Sequence, residues 1–344
     1  MTGPSSLRAA VIGLGHLGRF HARVYSEIPG VDLRYLADVD RSRAEAAAGQ
    51  YGGEPCGDYR AVLDKVDVVS VVTPTTSHHR IARDFLDAGV SVLVEKPMTA
   101  TVEQADDLIR LAADHGTKLQ VGHIERFNPA YRAVRDVLRD PVFIECHRLG
   151  PYPFRSTDVS VVLDLMIHDL DLILDLTGRP PGSVDAAGAA ILSKGTDIAN
   201  VRLSFETASG EPGCVANVTA SRVSPTPMRR LRVFQSDAYI SIDFLEKKVD
   251  VFRQKEGVDL ARAAVEELGA AGTMPPGAAL GELLDMRQID PGPADALTDE
   301  ITSFVTAVRD DAAPLVPGED GRRALALAVA VEDDIQRFLA QRSH

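Results

Sequence analysis

The run Gly13-Leu14-Gly15-His16-Leu17-Gly18 lies between a short apolar segment, Ala9-Ala10-Val11-Ile12, and a proline-free stretch from Arg19 to Ile28 that reads as a helix. Three glycines at this spacing prescribe a strand, a tight turn and a helix packed back on the strand. The first permits the turn, the second lets a ligand approach the backbone, and the third lets helix and strand touch. The start of the helix offers unpaired N–H groups and positive potential to an anion. The expected ligand is therefore a pyrophosphate, met by Gly13, Gly15, His16, Leu17 and Gly18. A second apolar strand, Val31 to Ala37, ends in Asp38, about 20 residues beyond the glycines, where a carboxylate can take ribose hydroxyls. A 2′-phosphate there would meet like charge from Asp38 and Asp40, offset in part by Arg41 and Arg43. The expected cofactor is NAD rather than NADP.

The first part of the chain keeps alternating apolar runs with helical patterns, the mark of a doubly wound parallel sheet. Val66 to Val72 and Val90 to Val94 are nearly continuous valine runs, suited to strands covered on both faces. Ser77 to Ala88 and Val102 to His115 read as helices closed by Gly89 and Gly116, and Lys118 to Gly122 as the sixth strand. Ligands of such sheets bind beyond the carboxyl ends of the strands. Thr73-Pro74-Thr75, Glu95-Lys96-Pro97 and His123-Ile124-Glu125-Arg126 are therefore expected to face one crevice. This gives an α/β chain with a Rossmann domain over residues 1–122.

Residues 123–344 form the expected second domain, built on an open, mostly antiparallel sheet. Alternating segments at 201–205, 215–218, 231–234, 239–242 and 249–252 supply its strands, with one face packed and one turned elsewhere, commonly to another subunit. Gly257 to Pro293 is irregular, broken by Met274-Pro275-Pro276-Gly277 and Pro291-Gly292-Pro293. Two amphipathic helices, about Ala294 to Arg309 and Asp320 to Leu339, close the chain and can pack back on the first domain.

A formal net charge of −13 argues against a nucleic-acid partner, because no basic face is available to displace counterions. Met1 to Leu7 lacks a basic region followed by a long apolar run, so the expectation is a cytoplasmic protein with no membrane role. Cys56, Cys146 and Cys214 are too scattered for a disulfide framework or a zinc site and read as small buried hydrophobes.

Val161 to Asp175 reads as one largely buried helix on which Asp164, His168, Asp171 and Asp175 share a face at spacings of four, three and four. A carboxylate one turn before a histidine can fix its tautomer and raise its basicity, as a general base requires. A solvated acidic face carrying one histidine fits the same spacing. Lys96, alone at a strand end where a nicotinamide would lie, favours the catalytic reading. Removing a hydride from a secondary alcohol also requires its hydroxyl proton to leave; a cationic lysine can stabilise the oxygen and a neutral histidine can accept the proton. Lys96 with a depressed pKa remains an alternative base. The lysine opposes a dication, so no metal is expected. Asn128 before Pro129 suits a helix start, and the Arg126 guanidinium suits a diphosphate or a carboxylate. His123 either contacts substrate or packs under the loop.

The glycine fingerprint, Thr73-Pro74 with His78, Glu95-Lys96-Pro97, Asp164-x-x-x-His168 and Gly318-Glu319-Asp320-Gly321-Arg322-Arg323-Ala324 together resemble the glucose-fructose oxidoreductase, inositol dehydrogenase and MocA (Gfo/Idh/MocA) family. The resemblance implies a C-terminal α/β domain with an open sheet, homodimers or homotetramers packed through that sheet, and a Lys96, Asp164 and His168 set acting on a sugar or polyol. It also implies cofactor contacts from Thr73, Pro74 and His78, with Glu95 near the nicotinamide ribose. Gly122 to Tyr131 is similar to the branch that oxidises nucleotide sugars, the UDP-N-acetylglucosamine 3-dehydrogenases. That implies oxidation of the 3-hydroxyl of a UDP-N-acetylhexosamine, with His123, Arg126, Asn128 and His168 at the substrate. The alternatives are an inositol or free-sugar dehydrogenase of the same family, or a non-catalytic NAD-binding sensor.

Overall fold

The computed structural model describes residues 6–152, 159–207, 209–255 and 284–342, which divide into two compact units. The first comprises residues 1–128, 170–172 and 294–330. Its six parallel strands are β1 (Leu7–Ile12), β2 (Val31–Ala37), β3 (Glu54–Cys56), β4 (Val68–Val71), β5 (Ser91–Glu95) and β6 (Leu119–Gly122), in the spatial order β3-β2-β1-β4-β5-β6. The direction of winding reverses between β1 and β4, the place where such sheets open a crevice for ligands. Helices α1 (His16–Glu27), α2 (Arg41–Tyr51), α3 (Thr75–Asp87) and α4 (Val102–His115) connect the strands. α1 begins three residues before the expected Arg19, because the turn is complete at Gly15.

A later helix, Ala296–Arg309, also belongs to this unit. Its Leu297, Ile301, Phe304 and Val305 join Ala9, Val11, Ala22, Tyr25 and Leu36 in one buried core. The final helix, Gly318–Arg342, starts directly on β6. A Cβ on Gly321 would lie 2.5 Å from Val121, so only glycine permits this approach.

The second unit comprises residues 129–169, 173–293 and 331–344. It holds a short helix, α5 (Pro129–Arg132), and an eight-stranded sheet. The strands are β7 (Phe143–Leu149), β8 (Ser183–Ala189), β9 (Ile198–Glu206), β10 (Pro212–Ser221), β11 (Met228–Phe234), β12 (Ala238–Asp243), β13 (Lys248–Gln254) and β14 (Leu284–Ile289). Their order is β14-β13-β12-β11-β7-β10-β9-β8; all pairings are antiparallel except β7 with β10. β7, β8 and β14 add to the five strands expected from alternation. The inner face buries Ile144, Cys146, Val201, Leu203, Ala216, Val218, Leu231, Val233, Ile240 and Val249. On the other face Phe143, Phe234, Tyr239 and Phe252 stack in a row across four strands, with centroids 4.7–5.7 Å apart. Of the irregular stretch, residues 256–283, including Met274-Pro275-Pro276-Gly277, lie outside the described residues, whereas β14 occupies Leu284–Ile289.

The expected helix from Val161 to Asp175 is two pieces. Val162–Met166 form a π-helical turn that runs directly into α6 (Ile167–Thr177). The chain therefore holds one extra residue in the turn that carries Asp164, a device frequent at functional sites. In chain order the two closing helices are α7 (Ala296–Arg309) and α8 (Gly318–Arg342). No helix among the described residues is long and apolar enough to cross a membrane.

Candidate active site

The glycine turn has the shape its spacing requires. Gly13 adopts φ +92°, and a Cβ there would lie 2.5 Å from the Val72 carbonyl oxygen. A Cβ on Gly18 would fall 1.8 Å from the Gly13 carbonyl oxygen, which is how closely helix meets strand. At Gly15 a Cβ would meet nothing within 4 Å. The protein therefore does not itself require glycine at position 15; a ligand lying over the turn would. Gly15 is the N-cap of α1 and no side chain caps it, so the first-turn amides at His16, Leu17 and Gly18 face outward for an anion. Asp38, 8% exposed, accepts from Leu14 N at 2.7 Å and from Asp40 N at 2.8 Å. These bonds fix its carboxylate against the glycine turn. The arrangement fits a dinucleotide, with the pyrophosphate over Gly15 and a ribose at Asp38.

The loops after β4 and β5 are tied together by His78. Its buried ring lies 2.7 Å from the Thr73 carbonyl oxygen and 2.9 Å from that of Pro97. Burial holds its pKa below the usual imidazole value, against the pull of the two carbonyls. In its neutral form the ring carries one N–H, which donates to one of these two carbonyls, so His78 sits wedged between Thr73-Pro74 and Lys96-Pro97. Lys96 is half-buried at the end of β5. Glu95, before it, accepts from Lys96 N at 3.3 Å and lies 3.1 Å from His21 Nε2.

His123, after β6, is 1% exposed. Burial depresses its pKa; Asp171 and Glu95 oppose that depression, while Arg126 and Lys96 add to it. The Arg126 guanidinium does not stand open for a ligand. It is 7% exposed and donates to Asp171 through Nε at 2.7 Å and Nη2 at 3.1 Å, with a further bond to Asp320 at 3.3 Å. Asn128 donates to Glu125 at 2.9 Å, which closes the turn before α5.

In the second unit the expected common face of four groups separates. Asp164 and His168 are half-buried. Asp175 instead accepts from Tyr131 at 2.5 Å and Arg135 at 3.0 Å, and Asp171 is taken by Arg126. The neighbouring Asp169 forms a buried two-bond pair with Arg148 of β7, at 2.9 and 2.8 Å. Three of the helix's acids are thus structural partners of arginine, and Asp164 lies four residues before His168.

Sequence reasoning missed His21, Gln120 and Glu300, all fully buried in the first unit. A signal was present for two of them. His21 falls in the buried stripe of α1 between Gly18 and Tyr25, and Glu300 in that of α7 between Leu297 and Phe304.

Residues 7–123 match the oxidoreductase family described as having an NAD-binding Rossmann fold, and residues 137–241 match the GFO/IDH/MocA C-terminal domain. The UDP-N-acetylglucosamine 3-dehydrogenase of Acidithiobacillus ferrooxidans is 38% identical over 336 residues, 97% of this chain and 98% of that one. The chain belongs to the Gfo/Idh/MocA oxidoreductase family. An inositol 2-dehydrogenase of Rhizobium meliloti is 28% identical over 94% of this chain and 96% of its own. A solved structure of the Acidithiobacillus enzyme superposes with a TM-score of 0.84 at 36% identity, covering 97% of this chain and 98% of that one. The protein is thus a dehydrogenase of an NAD(P)-binding family, with a Rossmann sheet and a C-terminal, mostly antiparallel sheet, as the sequence motifs imply.

Proposed function

We propose that this protein uses NAD to oxidise the 3-hydroxyl of a UDP-N-acetylhexosamine. The observation that carries the reading is the 38% identity to a UDP-N-acetylglucosamine 3-dehydrogenase along 97% of the chain. Bound NAD would accept the hydride from the sugar's secondary carbinol. The chain's own residues then have three tasks. Gly13, Gly15, His16, Leu17 and Gly18 hold the pyrophosphate, Asp38 selects the ribose hydroxyls, and Thr73, Pro74 and Glu95 border the nicotinamide half, with His78 bracing their loops. Lys96 stabilises negative charge on the reacting oxygen, and His168 takes the hydroxyl proton while Asp164 holds its ring in orientation.

His123, Arg126 and Asn128 shape the substrate side. Arg126 acts there through the carboxylates it already holds, so the uridine diphosphate supplies remote binding energy from other contacts. The aromatic row on the open face of the second sheet is the surface we assign to a homodimer or homotetramer, and we place the protein in the cytoplasm. Kinetics of two variants test the chemistry. Lys96→Met and His168→Ala are each expected to lower turnover by about 10²–10⁴ while NAD affinity is kept. The double variant should be little worse than the poorer single one, because both serve one proton transfer. A fully active His168→Ala would leave Lys96 as the base. Oxidation of free inositol with no response to UDP-sugars would move the assignment to the inositol branch.

A further inference from the structure

Beneath Glu95 lies a group of polar side chains that the chemistry above does not use. His21 of α1, Gln120 of β6 and Glu300 of α7 are each 0% exposed, inside a core otherwise made of residues such as Leu93, Ile301 and Phe304. Gln120 Nε2 donates to the Glu300 carbonyl oxygen at 3.2 Å, which places the two together. Four buried atoms here have no hydrogen-bond partner among the described residues: His21 Nδ1, Gln120 Oε1 and both carboxylate oxygens of Glu300. Such atoms are costly to bury, so a helix that carries one in its apolar stripe needs a reason to keep it.

Glu95 is held from two sides. His21 Nε2 stands 3.1 Å from one oxygen, and on another side the backbone of Gly122 lies so close that a Cβ there would be 2.9 Å from the carboxylate. Lys96 N also donates to it. Neither carboxylate oxygen of Glu300 has a donor among the described residues, and its burial, with the charge of Glu95 acting the same way, disfavours its ionised form. Two carboxylates in one buried region cannot both ionise cheaply, and the charge goes to the one with donors. Gln120 Oε1 is likewise a buried acceptor with no donor among the described residues.

We propose that His21 and Glu300 are positioning residues for Glu95: with Gln120 they form a buried network in which the negative charge resides on Glu95, Glu300 is kept as a neutral acid, and His21 fixes the direction in which Glu95 faces the cofactor. This rests on the reading that Glu95 borders the nicotinamide ribose. Burial pushes the Glu300 carboxyl well above the usual carboxylate range, and the charge of Glu95 pushes the same way. The other groups around α7 are accounted for. Tyr25 of α1 bonds Ser70, Glu125 bonds Asn128, and Arg126 bonds Asp171 and Asp320.

NADH fluorescence titrations and thermal unfolding of the full chain test this without any sugar substrate. His21→Leu should weaken NADH binding about tenfold, and His21→Gln, whose amide N–H reaches where Nε2 stood, should restore most of it. If His21→Leu fails to fold, His21→Asn replaces it, since its N–H lies at the Nδ1 position and should not restore binding. A neutral acid buried in the folded state contributes stability below its unfolded pKa of about 4.3 that is lost as pH rises toward the folded value. Glu300→Gln should therefore gain thermal stability relative to the unsubstituted protein between about pH 5 and pH 8. Equal NADH affinity of His21→Leu (or His21→Asn) and His21→Gln, or a Glu300→Gln difference independent of pH, would overturn the proposal. Unaltered NADH affinity in Glu95→Gln would remove Glu95 from the cofactor and sink the underlying reading itself.

Discussion

Substituting alanine for Gly15 separates what the fold needs from what the ligand needs. The position has φ −66° and ψ −160°, extended backbone that any residue adopts, and an added methyl meets no protein atom within 4 Å. Losing glycine from an N-cap costs a few tenths to about 1 kcal/mol, while the lower entropy of the unfolded chain returns about 0.4–1 kcal/mol. Gly15→Ala should thus leave stability within about 0.5 kcal/mol, a melting shift of about 2 °C or less. The same methyl projects where the pyrophosphate is placed. Overpacking of that kind costs about 1–3 kcal/mol, equivalent to about 5- to 150-fold in Kd for NAD. Gly18→Ala is the contrast, because its methyl would fall 1.8 Å from the Gly13 carbonyl oxygen and must displace backbone. That variant should lose several degrees of melting temperature as well as NAD affinity. Calorimetric titration with NAD and thermal unfolding of both variants decide the matter. Unchanged NAD affinity in Gly15→Ala would show that the pyrophosphate does not cross this turn.

Asp38→Ala should weaken NAD and narrow the gap to NADP, because it removes both a ribose acceptor and the charge that repels a 2′-phosphate; parallel titrations with the two cofactors read this. Asp197 accepts from the backbone amides of Ile191, Leu192 and Ser193 at 2.6–2.9 Å and from Arg222 Nε at 2.8 Å, both side chains being buried. Burial alone would raise its pKa, but the Ser193 and Arg222 donors outweigh it and hold the carboxyl well below its usual range. Its contribution is therefore complete above the unfolded pKa of about 3.9 and lost as pH falls below it. Asp197→Asn should cost about 3–5 kcal/mol at neutral pH by leaving Arg222 uncompensated, with a smaller loss in acid, measured by denaturant unfolding.

The parallel sheet was legible, apart from α2 and the short edge strand β3 (Glu54–Cys56), because its other elements agree with their neighbours: valine runs for doubly covered strands, and glycines where α3 and α4 stop. The second sheet was legible only where apolar alternation was intact. β7 was hidden because its inward position 148 carries an arginine, made compatible with the core by Asp169. β8 was hidden because it presents alanine and glycine. Gly188 is required there, since a Cβ would be 2.8 Å from Thr196 and 2.9 Å from Ile335, a long-range constraint that no local pattern carries. Among the described residues β14 pairs only with β13, at the sheet edge, and its middle positions are exposed.

At the candidate site the shape of the glycine turn and the place of Asp38 against it followed from motif and spacing. The fates of Arg126, Asp171 and Asp175 did not, because spacing shows which residues share a helix face and not which arginines from distant segments will claim them. The π turn at Val162–Met166 is likewise invisible to a period of 3.6 residues.

The central claim is that a hydride leaves carbon 3 of a UDP-N-acetylhexosamine. Incubation of the protein with NAD and UDP-N-acetylglucosamine deuterated at that carbon, followed by mass analysis of the reduced cofactor, tests it directly. The account predicts NADH carrying one deuterium and a 3-keto sugar product; unlabelled NADH, or no NADH from this substrate while inositol is oxidised, would contradict it.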